Sequence, residues 1–123
     1  ERFQIQEIAY DRWGAAEMRQ NLEGDGFAMV DMGQGYASMS APTKELLRLV
    51  IGKKLRHGGH PVLRWMADNL VVRTDSAGNM KPDKEKSRQK IDGMVAATMA
   101  LDRATRYLTA QASVYEERGM IVL

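Results

Sequence analysis

The chain has 123 residues, 44% of them hydrophobic and 28% charged, with a net charge of +2 and a pI near 9.0. That is the size and balance of one modest globular domain, and it permits an acidic partner without demanding one. With no cysteine there are no disulfides, zinc–thiolate centres or thiol nucleophiles, and no apolar run approaches the ~18 residues of a membrane span.

The composition is compatible with an intracellular setting, and no secretory leader pattern opens the chain. It begins with Glu1 rather than methionine, which leads us to expect a piece of something longer. Glu7 to Tyr10 reads as a short strand with Asp11 just past its end, the end at which open α/β sheets gather ligands. Trp13 reads as a core anchor. Ala15, Met18 and Leu22 share one face of a helix over Ala15 to Glu23, closed by Gly24. Phe27 to Asp31 then reads as a second strand. Strand, helix, strand is a βαβ unit and predicts parallel pairing.

Gly33-Gln34-Gly35 is a turn that lets backbone pass close to something; the third glycine of a dinucleotide fingerprint is missing. Ser40-Ala41-Pro42 is expected to open a second helix, with Leu46, Leu47, Val50 and Ile51 buried and Gly52 as its stop. Gly52-Lys53 is no Walker A motif, because Leu47 and Lys54 stand where glycine and Ser or Thr are required. Lys53, Lys54, Arg56, His57 and His60 form a basic cluster, readable as a solvated connector or as a phosphate contact.

Pro61 starts a third helix with Val62, Trp65 and Met66 inward. Leu70 to Arg73 and Met80-Lys81 flank the turn residues Asp75 to Asn79 and predict a hairpin. The run Lys81 to Lys90 is basic and leads into Asp92. The last helix is expected from about Ser87 to about Glu116, ended by Gly119. Ile91, Val95 and Met99 form one apolar stripe; Ala96, Ala100 and Ala104 form a second that lets the helix lie close to a sheet. The methionines are expected to fill the core.

Asp11 at a strand end and Asp92 at a helix start are candidates for a divalent-metal clamp, since carboxylate oxygens suit Mg²⁺ and Mn²⁺. Both also have plain structural readings: Asp11 can cap the next helix, and Asp92 can be a first-turn acid favoured by the helix dipole. Asp31 ends a strand too and is a rival ligand.

Ile8-Ala9-Tyr10-Asp11-Arg12-Trp13 resembles the nuclease domain of the large terminase subunit of tailed bacteriophages. The likeness continues through Gly33-Gln34-Gly35, Leu55-Arg56-His57-Gly58-Gly59 and Trp65-Met66. It returns in Lys84-Glu85-Lys86-Ser87, Lys90-Ile91-Asp92-Gly93 and Tyr115-Glu116-Glu117-Arg118-Gly119. It spans nearly the whole chain, and the order and spacing of the motifs carry it more than any one of them.

The resemblance implies an α/β, ribonuclease-H-like nuclease fold with helices flanking a mixed sheet, incomplete because its first strands precede Glu1. Residues 1–123 would then be the C-terminal portion of that nuclease domain, without the packaging ATPase. It implies a metal-dependent DNA endonuclease that cuts concatemeric viral DNA with two Mg²⁺ or Mn²⁺ ions, and Asp11 and Asp92 as two of three acidic ligands. The first catalytic Asp of the family lies upstream of Glu1, and Asp31 matches no catalytic position. Lys84, Lys86 or Lys90 would meet DNA phosphate. The implied partners are double-stranded DNA, the small terminase subunit and the portal, with no membrane, in the cytoplasm of the bacterial host. An open edge on the first strand invites self-association. Two rival readings stand beside this one: a non-catalytic prophage remnant or fragment that binds DNA or a packaging protein, and an unrelated α/β module whose charges are all surface.

Overall fold

The computed structural model describes residues 2–121, with side chains described as far as Val114. Strand β1 (Ile8–Tyr10) pairs in parallel with β2 (Met29–Asp31), Ile8 opposite Met29 and Tyr10 opposite Asp31. Helix α1 (Ala16–Gly24) makes the crossover, so the βαβ expectation holds. Gly26, at φ +92°, turns the chain back after α1 into a conformation that side chains resist.

Helix α2 (Tyr36–Ile51) begins earlier than Ser40-Pro42 suggests. Gly35 caps it, and Pro42 lies inside, where it gives up one helical N–H. Tertiary packing offsets that loss, because Met39, Ser40, Pro42, Thr43 and Leu46 are all buried. Ser40 is thus no cap; its hydroxyl accepts the Met80 amide at 3.2 Å and ties α2 to the hairpin. Of the expected stripe only Leu46 is buried, while Leu47, Val50 and Ile51 face solvent.

Helix α3 (Pro61–Asn69) starts at the proline, and the His60 ring nitrogen accepts the Val62 amide. Leu63 and Met66 are its half-buried apolar side chains, whereas Val62 and Trp65 are exposed, contrary to the expected face. Strands β3 (Val72–Thr74) and β4 (Met80–Pro82) form the expected antiparallel hairpin. Asp75 is the turn residue: its Oδ1 accepts the Ala77 and Asn79 amides at 3.0 and 2.8 Å.

Helix α4 (Asp92–Ile121) starts later than Ser87 and runs through Gly119. The residues before it are committed elsewhere, since Ser87 bonds back to Asp83 and to the Val71 amide. Ile91, Val95 and Met99 are buried as expected, and pack with Met32 and Met39 as the core, joined by Ala9 and Leu70. Met32, Met39 and Met99 thus supply core volume, whereas Met18 is exposed. The alanine stripe does not lie covered against a sheet. Ala96, Ala100 and Ala104 line an open apolar groove of about 910 Å³ with β1, Met18, Leu108 and Trp13. Trp13 is 85% exposed on its rim, so it is no core anchor.

Among the described residues the strands form two separate two-stranded sheets, one parallel and one antiparallel, rather than one mixed sheet. No helix among them is long and apolar enough to cross a membrane.

Gly93, next to Asp92, is required by closeness rather than by φ. A Cβ there would stand 2.7 Å from Met66 Sδ and 3.3 Å from Leu63 Cδ1, and the Gly93 amide donates to that sulfur at 3.1 Å. Gly93→Val is expected to cost about 1–3 kcal/mol through overpacking. Gly93→Ala should cost less, because alanine regains up to about 1 kcal/mol of helix propensity. Thermal melts of the two variants check the order.

Candidate metal and phosphate site

Asp11, Gln34, Met39, Val95 and the hairpin segment from Lys81 to Glu85, with Arg73, enclose a cavity of about 250 Å³. Short β1 delivers Asp11 to its wall. The Asp11 Oδ1 accepts the Trp13 amide at 3.3 Å, which leaves the other carboxylate oxygen available. Gln34 turns inward from the Gly33-Gln34-Gly35 bend, its amide 3.4 Å from the Met32 carbonyl. Gly33 allows this bend, since a Cβ there would meet Ser38 Oγ at 2.9 Å.

Three acids and three bases share the wall: Asp11, Asp83 and Glu85 against Arg73, Lys81 and Lys84. The Lys81 ammonium lies 5.0 Å from the centroid of the Tyr36 ring, a cation–π contact that steadies it. The Lys84 ammonium reaches out of the cavity to Asp92 Oδ1 at 3.5 Å. Both partners are more than half exposed, so solvent screens that pair and it adds little stability. Asp92 does not itself line the cavity; Lys84 is its link to the Asp11 wall.

Asp83 is the buried acid of the set, 4% exposed. Its Oδ1 accepts the Glu85 and Lys86 amides at 3.0 and 3.1 Å. Its Oδ2 faces Arg73 Nε at 3.1 Å as an ion pair rather than an aligned hydrogen bond. Burial pushes the Asp83 carboxyl up, but the Lys86 amide, the Arg73 guanidinium and the Glu85 amide together hold it below the ordinary carboxylate value. A carboxyl depressed on folding contributes stability that is present above its unfolded pKa, about 3.9, and is lost as pH falls through the folded value. Asp83→Asn is therefore expected to flatten the acid limb of the stability curve below about pH 4. Urea unfolding at pH 7 and pH 3 on both proteins checks it; an unchanged difference between the two pH values would refute it.

The other expected site residues divide clearly. Asp31 is exposed, 4.0 Å from an Arg12 nitrogen, and does not line the cavity. Lys86 gives its backbone amide to Asp83, and its side chain and that of Lys90 are exposed. His57 and His60 use their ring nitrogens on local amides. Among the described residues no three His, Asp or Glu side chains are grouped to hold one metal ion. Arg73, Lys81, Asp83 and Gln34 belong to the cavity and were not singled out as site residues by the sequence. The signal for the first three was the hairpin register, which sets Arg73 opposite Lys81 beside Asp83.

Residues 1–107 match the terminase large subunit, endonuclease domain family, and the chain belongs to it. It is 38% identical over 117 residues to the large terminase subunit of Enterobacteria phage HK97, which covers 94% of this chain and 23% of that protein. It is 34% identical over 105 residues to protein YmfN of Escherichia coli strain K12, covering 84% of this chain and 23% of that one. The crystal structure of the HK97 large terminase superposes with a TM-score of 0.74 at 40% identity, over 82% of this chain and 22% of that chain. The chain thus spans under a quarter of the length of these relatives, and its α/β architecture is that of a terminase nuclease domain.

Proposed function

We propose that these residues are the C-terminal portion of a ribonuclease-H-like nuclease domain, and that the whole protein cuts concatemeric phage DNA during packaging in the bacterial cytoplasm. Its partners there would be double-stranded DNA, a small terminase subunit and the portal. The observation that carries this reading is that Asp11 and Lys84 line one small cavity and that the Lys84 ammonium reaches from it to Asp92.

The donor chemistry suits a hard divalent cation. Asp11 keeps one oxygen free, and the Asp92 carboxylate already attracts a cationic group, the Lys84 ammonium. Asp11 and Asp92 would hold Mg²⁺ or Mn²⁺. When bound, such ions would activate water and stabilise the leaving oxygen of the phosphodiester. Lys84 would leave Asp92 for a phosphate oxygen, and Lys81 would add positive charge along the wall. Of the three candidate lysines, Lys84 is the one that lines the cavity, which supports it as the phosphate contact; Lys86 and Lys90 would meet only the more distant backbone.

Calorimetric titration with Mn²⁺ tests the ligands. Heat of binding is expected for the native chain and is expected to vanish in Asp11→Asn and in Asp92→Asn. Equal binding by all three proteins would remove both residues from the site. One observation favours the second reading, a DNA-binding module that does not cut: among the described residues no three acids are grouped to hold a metal ion.

A further inference from the structure

We propose that Asp83 and Arg73 are positioning residues that hold Lys84 at the mouth of the Asp11 cavity, on Asp92, where a DNA phosphate is to be received. The assignment rests on the phosphate role proposed for Lys84.

Lys84 alone is poorly placed to stay where it is. Its side chain is 58% exposed, and the carboxylate that it meets is 64% exposed. A long flexible lysine in water holds such a contact weakly. What fixes it is the backbone on either side. The Asp83 amide donates to the Val71 carbonyl at 2.8 Å, and the Val71 amide donates to Ser87 Oγ at 3.2 Å. Ser87 in turn donates through its hydroxyl to the Asp83 carbonyl at 2.6 Å and through its amide at 3.1 Å. Residues 83–87 are thereby stapled to Val71 at both ends.

Inside that staple the Asp83 carboxylate gathers the amides of Glu85 and Lys86, and so closes the turn on which Lys84 rides. Arg73 completes the clamp from β3: its Nε stands on Asp83 and another guanidinium nitrogen lies 3.6 Å from Glu85. The buried carboxylate takes two amides on Oδ1 and the Arg73 charge on Oδ2, which suits an anchor. Its burial beside a half-exposed arginine costs desolvation, and that cost is offset only if the geometry is kept.

The test combines two readouts on the 123-residue chain. The first needs no DNA: nitrogen-15 relaxation of the lysine ammonium groups. The Lys84 ammonium is expected to be more ordered than that of exposed Lys44 in the native chain. It should fall to the Lys44 level in Asp83→Asn and in Arg73→Gln. The second readout is the salt dependence of binding to a short DNA duplex. Lys84→Ala and Lys81→Ala are each expected to lower the slope by about 0.9, one phosphate contact. In the Asp83→Asn background, Lys84→Ala should change nothing further while Lys81→Ala keeps its full effect.

Arg73→Gln keeps the acceptor for both amides, so it serves if Asp83→Asn fails to fold. Unchanged Lys84 order in a folded variant overturns the positioning role. Equal loss of the Lys81 and Lys84 contributions also overturns it, because that is the signature of general destabilisation. If the ammonium responds as expected but the native chain shows no salt-dependent DNA binding, the positioning stands and the phosphate reading of the site fails.

Discussion

Met39→Ala is expected to destabilise the chain by about 2–5 kcal/mol, the range for emptying a packed methionine site. Met39 is 1% exposed and sits where α2, α4 and the residues after β2 meet, against Met32, Ile91, Val95 and Met99. It also lines the Asp11 cavity, so its side chain is at once core and floor of the site. With total stabilities of small domains near about 5–15 kcal/mol, the loss is a large share of the whole. Urea unfolding should show the midpoint falling steeply, while Met39→Leu, which nearly conserves volume, should cost under about 1.5 kcal/mol. Val50→Ala is the control, because Val50 is exposed and should lie within about 0.5 kcal/mol of the native chain. A Met39→Ala effect no larger than that of Val50→Ala would mean that the core is not organised around this residue.

The parts of the fold that were legible are those governed by local chemistry. The Asp75 to Asn79 turn, the crossover between β1 and β2 and the Ile91, Val95, Met99 stripe each follow from residue types at fixed spacing. Positions decided by distant partners are not legible in this way. Leu47, Val50 and Ile51 have helical periodicity, yet α2 rolls its Met39, Ser40, Thr43 and Leu46 face inward because the hairpin and α4 lie there. Ser40 looks like a cap and instead serves β4, forty residues along the chain. Trp13 looks like core and lies on the rim of a groove.

The same division runs through the site. Asp11 and Asp92 stand out because acids at a strand end and a helix start are conspicuous. Asp83 hides within a charged run, where nothing local marks one acid as buried. Only its pairing with Arg73, across the hairpin, sets it apart. Gly93 belongs to a recognisable motif, but its physical reason, the approach of Met66, lies in the packing of α3 on α4.

Plasmid DNA incubated with Mn²⁺ and this 123-residue chain is expected to remain essentially uncut. A longer polypeptide that contains these residues and supplies a further carboxylate to the site is expected to nick and linearise it at least about a hundredfold faster, as for restoring one electrostatic partner of a transition state. Two-metal hydrolysis needs both ions held about 3.5–4 Å apart around the phosphate. Among the described residues no three acids are grouped closely enough to hold a metal ion. Asp11→Asn and Asp92→Asn are each expected to abolish cutting by the longer protein without lowering its melting temperature, since both carboxylates are solvent-accessible and lightly bonded. Supercoiled, nicked and linear plasmid resolved on a gel over time give the rates. If the short chain cuts as fast as the longer one, and Asp92→Asn stops it, a third acid within these residues completes the site. Asp83 is a poor candidate, being held by Arg73 and two amides, and Asp31 does not line the cavity. Glu85 lines the cavity with an exposed carboxylate, so Glu85→Gln would then be the variant expected to stop the reaction.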